Sequence, residues 1–168
     1  MKRSDINAAL TCAEAVSRKV GVFLKGKLRA HKRINQQTAH DIKLELDDRS
    51  QRMIERQLLK VFPEVAILGE EGVVGDPESE WRWVVDPIDG TVNFSRGLPH
   101  ACVSIALQQR LPESKGHWDD YTTEVGVIYD PFLDEMWTAK SGGKAKLNGK
   151  AIKVSETDNL ESSVVSIG

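Results

Sequence analysis

The chain has 168 residues, 40% of them apolar and 29% charged, which excludes a disordered polyelectrolyte and leaves room for one ordinary domain with a hydrophobic core. A net charge of −2 supplies no basic surface for general nucleic-acid binding. No stretch approaches the roughly 20 apolar residues that cross a membrane, and the charged start Met1-Lys2-Arg3-Ser4-Asp5 does not read as a signal peptide.

In chain order, the first predicted element is a long amphipathic helix from Ser4 to about Arg29. Ile6, Ala9, Leu10, Ala13, Val16, Val20, Phe23 and Leu24 recur there at helical spacing, with Ser4 as a candidate N-cap. His31 to His40 is polar and helix-poor and reads as a mobile loop. A second helix is expected to begin at Asp47 or Asp48 and to end before Pro63, with Asp48 and Gln51 in a capping arrangement and Met53, Ile54, Leu58 and Val61 as its buried stripe.

The pattern then changes to strands. Val65 to Leu68, Trp81 to Val85, Cys102 to Leu107, Glu124 to Tyr129 and Glu135 to Ala139 are short, β-rich and bounded by turn residues, which places Trp81, Trp83 and Trp137 in the core. Leu111 to Thr123 reads as an elongated hairpin loop. Asn148-Gly149, between Lys144–Leu147 and Ala151–Val154, is a two-residue hairpin signal, because both turn positions favour positive φ. The run Lys140 to Lys153 reads as a solvated hairpin face, and Ser162 to Gly168 as a terminal strand. Two helices followed by a run of strands predict an α+β fold, with two long helices packed on an antiparallel sheet. The two cysteines, Cys12 and Cys102, read as buried free thiols, which fits a cytoplasmic protein.

Two carboxylate-rich turns carry the chemistry. One is Leu68-Gly69-Glu70-Glu71-Gly72, closing a short strand. The other is Trp83-Val84-Val85-Asp86-Pro87-Ile88-Asp89-Gly90-Thr91-Val92-Asn93-Phe94, in which an apolar strand delivers Asp86 to its end and Pro87 stiffens the exit. Four converging carboxylates, Glu70, Glu71, Asp86 and Asp89, would repel one another. A hard divalent cation such as Mg²⁺, taking oxygen ligands and water, relieves that conflict, and the Ile88 carbonyl can complete the shell. The N–H groups of Gly90 and Thr91, at the start of a short helix, suit a phosphate. Metal plus phosphate cradle is a toolkit for phosphoryl transfer to water.

Other readings lack support. His31, His40, His100 and His117 have no metal-ligand spacing, Ser95 and Ser104 no evident His–Asp partnership, and no Gly-rich Walker loop occurs.

The second turn resembles the first signature of the inositol monophosphatase family. Asp47, Pro63, Leu68-Gly69-Glu70-Glu71, Val103-Ser104-Ile105-Ala106-Leu107, Gly126-Val127-Ile128-Tyr129-Asp130-Pro131 and Leu147-Asn148-Gly149 with Val154-Ser155 fall in family order, so the resemblance covers essentially the whole chain. It implies the amino-terminal part of a layered αβαβα sandwich in a homodimer, and hydrolysis of a small phosphate monoester on a polyol or sugar. Inositol monophosphate is the first expectation. Fructose 1,6-bisphosphate, histidinol phosphate and 3′(2′)-phosphoadenosine species are the alternatives.

By position, Glu70, Asp86 and the Ile88 carbonyl resemble ligands of a first metal, Asp86 and Asp89 ligands of a second, and Glu71 stands in or beside the shell. Thr91 and Asp47 resemble the pair that orients and deprotonates the attacking water. Ile88, Asp89, Gly90 and Thr91 resemble the phosphate cradle. Two departures are visible. Lys43-Leu44-Glu45-Leu46 stands where family members often carry Thr before the Asp47 position. The second family signature, a Trp-Asp-x-Ala-like motif, does not occur, since Trp118-Asp119 is followed by Asp120-Tyr121. The expectation is therefore one amino-terminal domain over residues 1–168 with the carboxy-terminal domain absent, and a catalytically incompetent metal-binding or dimerising fragment as the alternative of another class.

Overall fold

The computed structural model describes residues 3–37, 42–76, 78–112 and 120–165. Helix α1 (Arg3–Lys27) buries Ala9, Ala13, Val16, Val20 and Leu24 along one stripe. Ser4 lies inside it rather than capping it. Helix α2 (Glu45–Val61) turns Leu46, Ile54 and Leu58 inward and stops before Pro63, which cannot continue a helix. It begins two residues earlier than expected, which puts Asp47 inside its first turn and frees Asp48 and Gln51 from capping.

Within the His31 to His40 segment expected to be a loop lies strand β1 (Ile34–Gln37), which pairs antiparallel with β2 (Ile42–Leu44) beyond it. Its polar composition hid this, because the ladder partner stands further along the chain. His40 lies outside the described residues.

Eight strands form one sheet: β3 (Ala66–Gly69), β4 (Gly72–Val74), β5 (Trp81–Asp89), β6 (Cys102–Arg110), β7 (Tyr121–Asp130), β8 (Glu135–Lys140), β9 (Lys146–Leu147) and β10 (Lys150–Ala151). Their spatial order is β10-β9-β8-β7-β6-β5-β3-β4. The fold is α+β as predicted, with one exception to antiparallel pairing: β3 runs parallel to β5. That pair brings the ends of both strands, and hence both carboxylate turns, to the same edge of the sheet. Strand β7 begins at Tyr121, so Thr122 and Thr123 belong to the ladder rather than to the expected loop. His117, Trp118 and Asp119 lie outside the described residues.

Alternation along the strands separates two faces. Trp83 and Val85 of β5, Val103, Ile105 and Leu107 of β6, and Val125, Val127 and Tyr129 of β7 are buried under α1 and α2. Trp83 is fully buried, with the Phe62 ring 5.8 Å away. Trp81 and Trp137 are only half-buried. The opposite face carries Asp86, Cys102, Ser104, Ile128 and Trp137.

Asn148 (φ 48°) and Gly149 (φ 79°) turn β9 into β10 as the dipeptide predicted. The strands are shorter than expected, and the surrounding lysine run is solvated. Residues 163–165 are not a strand: Val164 and Val165 are exposed, and among the described residues no strand pairs with them. Both cysteines are free and half-buried. No helix among the described residues is long and apolar enough to cross a membrane.

Candidate functional site

The site is built by a bulge. Along β5 and β6, Asp86 stands opposite Ser104 and Asp89 opposite Cys102, so three steps on one strand match two on the other. Without the extra residue, Asp86 and Ile88 would share a face. With it, Asp89 joins Asp86, while the Ile88 side chain is turned into the core at 1% exposure. The Asp86 carboxylate accepts the Ile88 N–H at 3.1 Å, which fixes the bend at Pro87.

Gly90 continues the turn at φ 95°, and a Cβ there would meet the His100 carbonyl oxygen at 2.9 Å. Helix α3 (Thr91–Ser95) follows, as expected from Thr91. The Thr91 hydroxyl donates to the Ile88 carbonyl at 2.8 Å. Its single proton is therefore committed to that carbonyl, and what remains for a water or phosphate is its acceptor capacity.

The second carboxylate turn follows β3. Glu70 donates its N–H to the Val85 carbonyl at 3.2 Å, which locks it beside Asp86. Gln51 holds the turn from α2. Its side-chain oxygen accepts the Glu71 N–H at 2.8 Å, and its amide donates to Glu55 at 2.8 Å and to the Gly72 carbonyl at 3.3 Å. The side chain lies so close that a Cβ on Gly69 would fall 2.4 Å from it. Asp47, one turn earlier on α2, is 2% exposed.

Charge is concentrated where the two turns meet. Burial, the Glu70 charge, a hydrogen bond with Glu70 and the Asp89 charge together push the Asp86 carboxyl from 3.8 up to about 7, against the lowering effect of the Ile88 N–H. Burial and like charge thus disfavour an ionised Asp86 in this metal-free arrangement. Asp89 accepts from the Cys102 thiol at 3.6 Å, and burial with the Asp89 charge pushes that thiol up to about 12.

Two hollows adjoin these groups. One, of about 320 Å³, is lined by Gly69, Glu70, Asp86 and Ser104, and the other, of about 310 Å³, by Asp89, Gly90, Asn93, His100, Cys102 and Asp130. The structure thus brings Glu70, Asp86, Asp89, Ile88, Gly90 and Thr91 into one neighbourhood, with Glu71 beside them.

The donor set fits a hard cation: two touching carboxylates, a third within charge range and a backbone carbonyl. Among the described residues no three His, Cys, Asp or Glu side chains ring a single point. Mg²⁺ does not need such a ring, since it keeps several waters and takes only one or two protein carboxylates. Sequence reasoning missed the positioning role of Gln51 and the placing of Cys102 beside Asp89. The alternation of Cys102, Ser104 and Ala106 with Val103, Ile105 and Leu107 signals a shared face, but the bulge that aligns Asp89 with it leaves no mark in composition.

A family model described as the inositol monophosphatase family matches residues 5–167. A "Nus factor SuhB" from Pasteurella multocida is 36% identical over 166 residues, covering 97% of this chain and 58% of that protein. A "Fructose-1,6-bisphosphatase/inositol-1-monophosphatase" from Thermotoga maritima is 38% identical over 128 residues, covering 76% and 45%. The solved structure of a Thermotoga maritima IMPase superposes with TM-score 0.80 at 34% identity, over 92% of this chain and 56% of that one. The chain thus spans about half the length of such relatives, and their arrangement of helices on a sheet is the one described above. By sequence and by fold, this chain belongs to the inositol monophosphatase family.

Proposed function

We propose that the chain carries the metal and phosphate end of a Mg²⁺-dependent phosphoric monoester hydrolase, acting on a small phosphorylated polyol or sugar with inositol monophosphate as the first candidate. The single observation behind this reading is the bulge that puts Asp89 on the same face as Asp86, beside Glu70. Bound there, Mg²⁺ would supply charge neutralisation and an activated water. Glu70, Asp86, Asp89 and the Ile88 carbonyl would hold it, with Glu71 in or beside the shell.

The residues' own contributions follow from their positions. Asp86, whose carboxyl is raised, would have to be ionised to ligate a cation, so metal affinity should rise with pH. The N–H groups of Gly90 and Thr91 would receive phosphate oxygens, and only glycine fits the backbone at position 90. Asp47 would accept a proton from the attacking water, and Thr91, its hydroxyl proton fixed on Ile88, would orient that water by accepting from it.

Fructose-1,6-bisphosphatase, histidinol-phosphate phosphatase and 3′(2′)-bisphosphate nucleotidase activities are the alternative substrate assignments. The name of the Thermotoga relative favours the first of these. Several relatives are named "Nus factor SuhB", and for this chain the carboxylate pair favours the phosphatase reading over the role in that name. A second reading is a metal-binding or dimerising unit that does not turn over by itself. We place the protein in the cytoplasm as a homodimer, with neither nucleic acid nor membrane as partner.

Phosphate release from inositol 1-phosphate, fructose 1,6-bisphosphate, histidinol phosphate and 3′-phosphoadenosine 5′-phosphate, with and without Mg²⁺, tests the proposal. Mg²⁺-dependent release that disappears in Asp86→Asn and Asp89→Asn supports it. Release undiminished in either variant overturns the role of that residue. Mg²⁺ binding without release selects the second reading.

A further inference from the structure

A larger hollow lies away from the carboxylates. It is a groove of about 680 Å³ between α1 and α2, on the other side of the sheet from Asp86. That volume falls within the roughly 300–1,000 Å³ of small-molecule sites.

Its α1 wall is made by Ala8, Thr11 and Ala15, which recur at helical spacing on one face, with Cys12 and Val16 deeper, and Val61 closes it from α2. Small side chains keep this wall low, so the apolar surfaces beneath stay reachable from solvent.

The charge around the groove has one sign. Lys19 and Lys60 line its exposed rim, and Asn7, at the end remote from Lys19 along α1, holds the ammonium of Lys140. No Asp or Glu lines the groove, and among the described residues neither Lys19 nor Lys60 has a carboxylate within 4 Å. From Asn7 to Lys19 the helix advances about 18 Å at its usual rise. The result is an elongated apolar trough, cationic at its edge.

We infer that this groove binds a free medium-chain alkyl carboxylate, the chain lying on Ala8, Ala15, Val16 and Val61 and the head group meeting Lys19 and Lys60. Charge complementarity carries the assignment. A neutral hydrocarbon would leave the two ammonium groups unused, and a cationic amphiphile would be repelled.

Calorimetric titration of the chain with dodecanoate, below its micelle concentration, tests the inference. One saturable site is expected, at least tenfold weaker for dodecanol. Ala15→Trp, an exposed position where added bulk fills the trough without touching the core, should abolish binding while leaving the melting temperature unchanged. Lys19→Glu with Lys60→Glu should weaken it about tenfold, as loss of two rim ion pairs requires. Absence of saturable binding overturns the inference. So does binding unchanged by Ala15→Trp, equal affinity for dodecanol, or binding confined to anionic phosphatidylglycerol vesicles. The carboxylate site is untouched by these variants, so either proposal can fail without the other.

Discussion

Replacing Asp86 by Asn should stabilise the metal-free protein while destroying the proposed metal site. The Asp86 carboxyl is raised from 3.8 to about 7 by burial and by the charges of Glu70 and Asp89. A group whose folded value lies above its unfolded value favours the folded state fully below about pH 4. That contribution is lost as pH rises through about 7. The shift of about 3 pH units corresponds to at most about 4 kcal/mol. Asp86 is half-buried rather than sealed, and solvent screening reduces the expected figure to about 1–2 kcal/mol.

Asparagine keeps an oxygen for the Ile88 N–H and offers an N–H to Glu70 without adding charge. Urea unfolding in EDTA at pH 5 and pH 8 is the assay. The wild type should lose about 1 kcal/mol between these values beyond whatever Asp86→Asn loses, since part of the contribution is already gone at pH 5, and the variant should be the more stable protein at pH 8. A variant less stable than wild type at pH 8, or one with the same pH dependence, would refute the reasoning.

The remaining predictions concern the supports of the site. Gly90→Ala combines a left-handed backbone with a 2.9 Å approach to the His100 oxygen, and urea unfolding should register a loss of about 1–3 kcal/mol or more. Thr91→Val removes one hydroxyl bond to the Ile88 carbonyl and should cost about 1 kcal/mol by the same measurement. Gln51→Ala removes three hydrogen bonds from the Glu70–Glu71 turn. It should cost about 2–3 kcal/mol and raise amide exchange at Glu71 more than at Val103. Trp83→Ala empties a fully buried position against Phe62 and should cost about 3–5 kcal/mol.

Much of this architecture is legible in the sequence because its signals are local. The buried stripe of α1, the stop at Pro63, the alternation of β6 and the Asn148-Gly149 turn each depend on residues a few positions apart. The carboxylate turns are legible for the same reason, since strand, proline and glycine stand side by side around Asp86 and Asp89.

What escapes is what depends on distant partners. The β1–β2 pair joins the mostly polar Ile34–Gln37 to Ile42–Leu44, each too short to display a period. The parallel pairing of β3 with β5 is decided by the crossing of the chain between them. Gln51 read as a helix cap, whereas its amide reaches 20 residues along the chain to the Glu71 N–H. Residues 163–165 have strand-like composition, but the described residues provide no ladder for them.

Mn²⁺ binding, followed by its electron paramagnetic resonance signal and by competition with Mg²⁺, addresses the central claim most directly. Glu70, Asp86 and Asp89 should create saturable, Mg²⁺-displaceable sites that release protons on filling. Glu70→Gln, Asp86→Asn and Asp89→Asn should each lower the affinity at least tenfold. Manganese binding equally well to all three variants, or not binding to the wild type, would contradict the account.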